Sequence, residues 1–203
     1  MAQARHLDFW FDFASTYSYL AAMRIDVAAA AAGIEVRWRP FLLGPIFKAQ
    51  GWDTSPFNIY EAKGRYMWRD LERLAKAQGL ALRRPDPFPQ MSLAAARAAL
   101  TPAVESLKAE FCRRVFLAEF AEGLNIAEPS AIARIASELD LDGEAVVSEA
   151  QSVEVKERLK AETAEAQRIG IFGAPSFVAA DGELFWGNDR LDQALAWAAG
   201  KAA

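Results

Sequence analysis

Strand signal stands only at the two ends of this chain, and that placement limits the fold more than any other feature. At the N-terminal end, residues 6–13 alternate loosely and are rich in Phe and Trp, as in a strand covered on both faces. A helix is predicted from Ser15 or Thr16 to about Ala32, stopping at Gly33, the residue type favoured just past a helix end. Residues 34–40 alternate apolar and polar and read as a second strand. Strand, helix of about five turns and strand make a right-handed βαβ unit. At the other end, residues 176–180 and 183–186 flank Asp181-Gly182, a two-residue hairpin signal, and a helix over 191–199 follows. Between the ends, helical periods fill 60–78, 93–100, 102–122, 129–138, 143–151 and 153–168, interrupted by a proline-rich loop at 84–89.

The expected fold class is therefore α/β: a thioredoxin-like βαβ…ββα sheet with an all-helical domain inserted in the middle. Residues 1–50 and 169–203 would form the sheet domain and 51–168 the insertion. At 203 residues, with 53% hydrophobic residues and six tryptophans, the chain can bury a sizeable core. Its alanine run at 28–32 reads as helix propensity and close packing.

A net charge of −4 and a pI near 5.2 argue against a nucleic-acid footprint, which needs a basic face. No apolar run approaches the roughly 20 residues that span a bilayer, so no membrane partner is expected. Residues 1–6 enter the first strand without a signal-peptide core. One cysteine, Cys112, excludes an intramolecular disulfide and fits a reducing, cytoplasmic location. Cys112 and the lone His6 lie in different elements, so packing explains the cysteine better than catalysis does. No metal site is expected.

The first chemistry falls at the strand-to-helix junction. Where a thiol oxidoreductase would carry Cys-x-x-Cys, this chain reads Ser15-Thr16-Tyr17-Ser18. A helix N-terminus favours negative charge, and with serine there it could stabilise a thiolate brought by a ligand. A serine in that place can equally be an N-cap. The second element is Gly173-Ala174-Pro175-Ser176. In a thioredoxin-like fold this X-Pro bond is typically cis, and Ala174 would offer its backbone to an extended peptide; an ordinary turn is the other reading. The third is Gly187-Asn188-Asp189 before the last helix, either helix-capping groups or a seat for an α-amino acid moiety.

Together these stretches resemble a known family. Phe11-Asp12-Phe13…Ser15…Tyr17-Ser18-Tyr19-Leu20-Ala21 is similar to the signature of 2-hydroxychromene-2-carboxylate isomerases, relatives of kappa-class glutathione transferases in the DsbA-like branch of the thioredoxin superfamily. The resemblance continues through residues 39–44, 63–71, 170–175 and 185–191, nearly end to end. It implies glutathione as cofactor, with Ser15 as the catalytic, thiolate-activating residue. It also implies Ala174 and Pro175 beside the cysteinyl part, Asn188 and Asp189 on the γ-glutamyl part, and Lys63 near the ligand. Ser18, one turn on, reads as structural. Thr16 stands where the family usually has proline, and Trp52 where kappa-class relatives have asparagine.

The reaction implied is conversion of 2-hydroxychromene-2-carboxylate to trans-o-hydroxybenzylidenepyruvate, an aromatic-hydrocarbon catabolic step, in a homodimer. Thiolate addition would make a double bond temporarily single, permit rotation, and then reverse. Phe47 and Trp52 are candidates to wall the substrate ring, and Lys48 or Lys63 to meet its carboxylate; solvent and core are the alternatives for each. A conjugating transferase would share these residues and release a thioether. A non-catalytic peptide-binding relative would not need glutathione. A disulfide oxidoreductase is disfavoured by the missing cysteines.

Overall fold

The structure is a computed structural model, and it describes residues 5–200; the reading of residues 1–4 lies outside them. The central strand, β1 (His6–Phe11), is flanked by β2 (Glu35–Pro40) on one side and β3 (Ser176–Ala179) on the other, with β4 (Leu184–Trp186) at the edge. The sheet order is β2-β1-β3-β4. Only β1 and β2 are parallel; β3 runs antiparallel to β1, and β4 to β3. Phe9 sits between Trp38 of β2 and Phe177 of β3 in register. Its ring meets theirs at 4.9 and 5.6 Å, in the offset and edge arrangements aromatic pairs prefer.

Two faces of β1 serve two cores, as period-2 alternation requires. Leu7, Phe9 and Phe11 are fully buried in the main core, while Trp10 packs with Phe41, Ile46 and Ile171 on the other side.

The helix expected over residues 15–32 is two helices, α1 (Thr16–Ala22) and α2 (Ile25–Ala32). No glycine or proline marks the break. At the junction Arg24 reaches the turn before the last helix and donates to the Asn188 carbonyl (2.7 Å), to Asn188 Oδ1 (3.3 Å) and to Asp192 (3.1 Å). Gly33 ends α2 in the left-handed conformation, as expected.

Between β2 and β3 the described residues contain helices only. They are α3 (Leu43–Ala49), α4 (Pro56–Ile59), α5 (Glu61–Gln78), α6 (Leu93–Ala98), α7 (Lys108–Leu117), α8 (Pro129–Ser137), α9 (Gly143–Glu149) and α10 (Val153–Arg168). α3 and α4 carry no strong periodic signal, being short. The single helix expected over 102–122 is instead a 3-10 turn (Pro102–Leu107), α7 and a π-helical turn (Ala118–Glu122). The hairpin loop spans residues 180–182, because Ala179 N–H pairs with the Glu183 carbonyl. It is thus longer than a two-residue turn. α11 (Leu191–Ala198) closes the fold.

The core runs through the sheet into the helical segment. Phe11 and Phe13 pack on Phe116 of α7 at 5.7 and 5.1 Å, and Tyr19 stacks on Phe120 at 5.4 Å. Tyr19 also donates to the Ala81 carbonyl (2.8 Å). Cys112, on α7, is fully buried, and burial pushes its thiol well above the usual range. Among the described residues no helix is long and apolar enough to cross a membrane, and no cluster of metal-ligating side chains is present.

Candidate active site

β1 ends in a tight turn, with Ser15 N–H donating to the Asp12 carbonyl (2.9 Å). This turn presents Ser15 at the start of α1, where only 9% of the residue is exposed. The N-cap reading of this serine holds, and its hydroxyl makes a second contact. Its Oγ accepts from Ser18 N–H (3.3 Å) as an N-cap, and its hydroxyl donates to the Ala174 carbonyl (3.1 Å).

The Ala174-Pro175 bond is cis. Pro175 opens β3 where no ladder N–H is needed, and its carbonyl accepts from Gly187 N–H (2.9 Å). That bond ties the proline turn to the turn before α11. A Cβ on Gly173 would lie 2.5 Å from the Trp186 indole nitrogen, so the ring rests against the Gly173 backbone. Trp186 and Phe172 form a largely exposed aromatic pair (4.8 Å) at the rim of this turn.

Asn188 is buried, with Oδ1 and its backbone carbonyl both taken by Arg24. Asp189 points outward; its side chain is 73% exposed and pairs with Arg190 (3.1 Å). Arg24 was not legible as part of this turn, because its partners lie at the other end of the sequence.

The helical segment approaches from α5. Thr16 donates to Met67 sulfur (3.4 Å) and Tyr17 to Asp70 (3.0 Å). Burial, then the Asp70 bond, pushes the Tyr17 hydroxyl far above its ordinary value. Lys63 lies one turn before Met67, exposed, with its ammonium 4.8 Å from the Tyr60 ring centre and no salt bridge among the described residues. Phe47 and Trp52 pair at 5.9 Å at the end of α3, with Lys48 exposed beside them. No described contact joins that pair to Ser15.

A feature the motif reading missed lies on the other flank of Met67. A cleft of about 400 Å3 opens between α4, α5 and the proline-rich loop. Phe57, Trp68 and Phe88 wall it, and Arg84 lies over Trp68 at 5.1 Å. Trp68 and Phe88 meet edge-on at 4.8 Å. α4 sits close enough to α5 that a Cβ on Gly64 would collide with the Phe57 carbonyl. Phe88, lodged among prolines, was the only sequence hint.

Two buried carboxyl groups lie behind the turn. Asp12 is 5% exposed and accepts from Ala14 N–H (3.0 Å) and Leu43 N–H (2.7 Å). Glu119, in the π-helical turn, is fully buried and neither carboxyl oxygen has a hydrogen-bond partner among the described residues. Burial, and then the Asp12 charge, raises Glu119 well above the carboxylate range. Burial also raises Asp12, against the pull of its hydrogen bonds.

A cis proline facing a helix N-terminus, in a sheet of this order, defines a thioredoxin-like protein of the DsbA type, here with serine at the junction in place of cysteine. Residues 6–196 match the DSBA-like thioredoxin domain, and the chain belongs to that family, in its 2-hydroxychromene-2-carboxylate isomerase branch. It is 30% identical to the 2-hydroxychromene-2-carboxylate isomerase of Pseudomonas putida over 91% of this chain and 90% of that one. The Sphingobium xenophagum isomerase is 28% identical, over 92% and 94% of the two chains. Human glutathione S-transferase kappa 1 is 26% identical, over 93% and 88%. A solved structure of 2-hydroxychromene-2-carboxylate isomerase superposes with a TM-score of 0.83 at 30% identity, covering 93% of this chain and 91% of that one.

Proposed function

We propose that this protein is a glutathione-dependent isomerase converting 2-hydroxychromene-2-carboxylate to trans-o-hydroxybenzylidenepyruvate. The observation that carries the reading is the Ser15 hydroxyl, pointed across the junction at the carbonyl beside a cis proline, with no cysteine at the junction to use it. That hydroxyl is free to exchange one acceptor for another, and would turn to a sulfur seated beside Ala174 and Pro175. α1 has only seven residues, so its dipole is modest and the hydroxyl is the main donor.

The polar groups around the turn fit the cofactor's chemistry, an amino-acid end, a thiol and a carboxylate end. Asn188 has its oxygen occupied by Arg24, which leaves the amide N–H groups to meet a carboxylate. Asp189, outward and carboxylate-bearing, suits an α-ammonium group. Lys63, without a salt bridge, suits a second carboxylate. When bound, glutathione would supply a thiolate that adds reversibly to the conjugated carbon, so that the double bond becomes single long enough to rotate. Ser15 would hold the sulfur anionic near neutrality, where a free thiol has a pKa of about 8.5.

For the substrate, the cleft beside Met67 has the better chemistry. Phe57, Trp68 and Phe88 supply ring faces, and Arg84 a guanidinium for the carboxylate. Phe47, Trp52 and Lys48 would form an outer wall. The reading includes a cytoplasmic homodimer working in aromatic-hydrocarbon catabolism. The assay is direct: purified protein and 2-hydroxychromene-2-carboxylate should give product absorbance that requires added glutathione, and turnover without glutathione overturns the mechanism. The kinship with kappa-class transferases favours a second outcome, a glutathione thioether as end product, which mass analysis separates from the isomer.

A further inference from the structure

Asp12 joins the turn presenting Ser15 to the helical segment by hydrogen bonds. Its carboxylate takes Ala14 N–H inside the turn and Leu43 N–H at the first turn of α3. The Ser92 hydroxyl, which stands at the N-cap of α6 yet makes no capping bond, is turned to Asp12 as well. A buried carboxylate is kept when several donors converge on it, and these donors come from three separate elements. Glu119 completes the arrangement. It is fully buried, with both oxygens unpartnered among the described residues, on a π-helical turn, a distortion that often marks functional positions.

We propose that Asp12 is a positioning residue for Ser15: its ionised carboxylate, backed by a neutral Glu119, clamps the Ser15 turn to the starts of α3 and α6 and thereby aims the Ser15 hydroxyl at the ligand sulfur. Two buried carboxyl groups whose charges oppose each other cannot both ionise cheaply, and the donors decide which one does. Asp12 has N–H and hydroxyl partners and Glu119 has none, so the proton resides on Glu119. The only charge acting on Glu119 among the described groups is Asp12. The groups facing Asp12 are the Ala14 and Leu43 N–H groups and the Ser92 hydroxyl.

This inference rests on the glutathione reading only through its kinetic part, and the test separates the two. Asp12→Asn keeps the shape, but its amide N–H2 must face one of the donors, so one N–H loses its acceptor. In the ligand-free protein, amide hydrogen exchange should speed at Ala14–Ser15 and at Leu43 while β1 and α7 stay protected. Unchanged exchange at those amides, or a uniform rise through the whole protein, overturns the clamp whatever glutathione does. With glutathione added, ultraviolet thiolate absorbance should titrate about one unit higher in Asp12→Asn than in wild type, with kcat down about tenfold and the glutathione KM within about twofold. A thiolate titrating lower would mean that Asp12 acts as a repelling charge and not as a clamp. Absence of any thiolate in the wild type would instead refute the glutathione reading, leaving the exchange result to stand alone. Should Asp12→Asn fold poorly, Ser92→Ala removes one donor and should shift both readouts in the same direction by less. Glu119→Gln, which fixes the neutral state, should leave both unchanged; a shift as large as that of Asp12→Asn would overturn the assigned proton.

Discussion

On the sheet side of the Ser15 turn, the fold makes its contacts with hydrogen bonds to backbone carbonyls: the Ser15 hydroxyl to Ala174, Gly187 N–H to Pro175, the Arg24 guanidinium to Asn188. On the helical side it makes them chiefly with side chains: Met67 under Thr16, Asp70 on Tyr17, then the rings of Phe57, Trp68 and Phe88 with Arg84 above. Hydrogen bonds fix direction, whereas rings and a guanidinium fix size, flatness and charge. In the proposed reaction, then, the sheet side would set what happens to a thiol, and the helical side which molecule it happens to. Family kinship reads the first more readily than the second, because four-residue turns recur while pocket walls are assembled from distant residues.

The comparison can be broken most forcefully at the seam between the two sides. Phe116→Ala removes a ring packed on both Phe11 and Phe13 and should cost about 3–5 kcal/mol of stability. Denaturant unfolding should stay a single transition moved to lower concentration. Two separated transitions would show the sides to be independent bodies. Next in size is Ser15→Ala, which should lower isomerase turnover by about 10²–10³-fold, the range for losing one preorganised donor. Glutathione affinity should change only a few-fold, and full turnover would remove Ser15 from the mechanism. Smallest is Arg84→Gln, which should raise the substrate KM about tenfold, near the ~1.5 kcal/mol of one charged hydrogen bond. Here kcat should hold; a fall in kcat with KM constant would move Arg84 from choosing the substrate to reacting with it.

How much of this was legible follows the same division. The order of strands and helices, the Ser15 junction, the Ala174-Pro175 turn and the full length of α10 follow from local signals: caps, breakers and period. The break at Met23–Arg24 could not be read, since no glycine or proline marks it and the partner Arg24 meets there lies 164 residues away. The π-helical turn around Glu119 carries no signature, because the sequence there suits an ordinary helix. The cleft beside Met67 joins residues from a helix and from a proline-rich loop, and only the packed chain brings Trp68 to Phe88. Asp12 stood in the quoted motif but as a bystander; its importance lies in which N–H groups the fold delivers to it.

Cys112 has a practical consequence. It is the chain's single cysteine, wholly enclosed, and its thiol is held far from ionisation by burial. In the folded protein, an alkylating or disulfide reagent therefore meets no reactive sulfur belonging to the polypeptide. Any thiol counted in a mixture of native protein and a sulfur-bearing small molecule belongs to the small molecule. A thiol-labelling experiment can therefore follow a bound small-molecule thiol without first mutating Cys112.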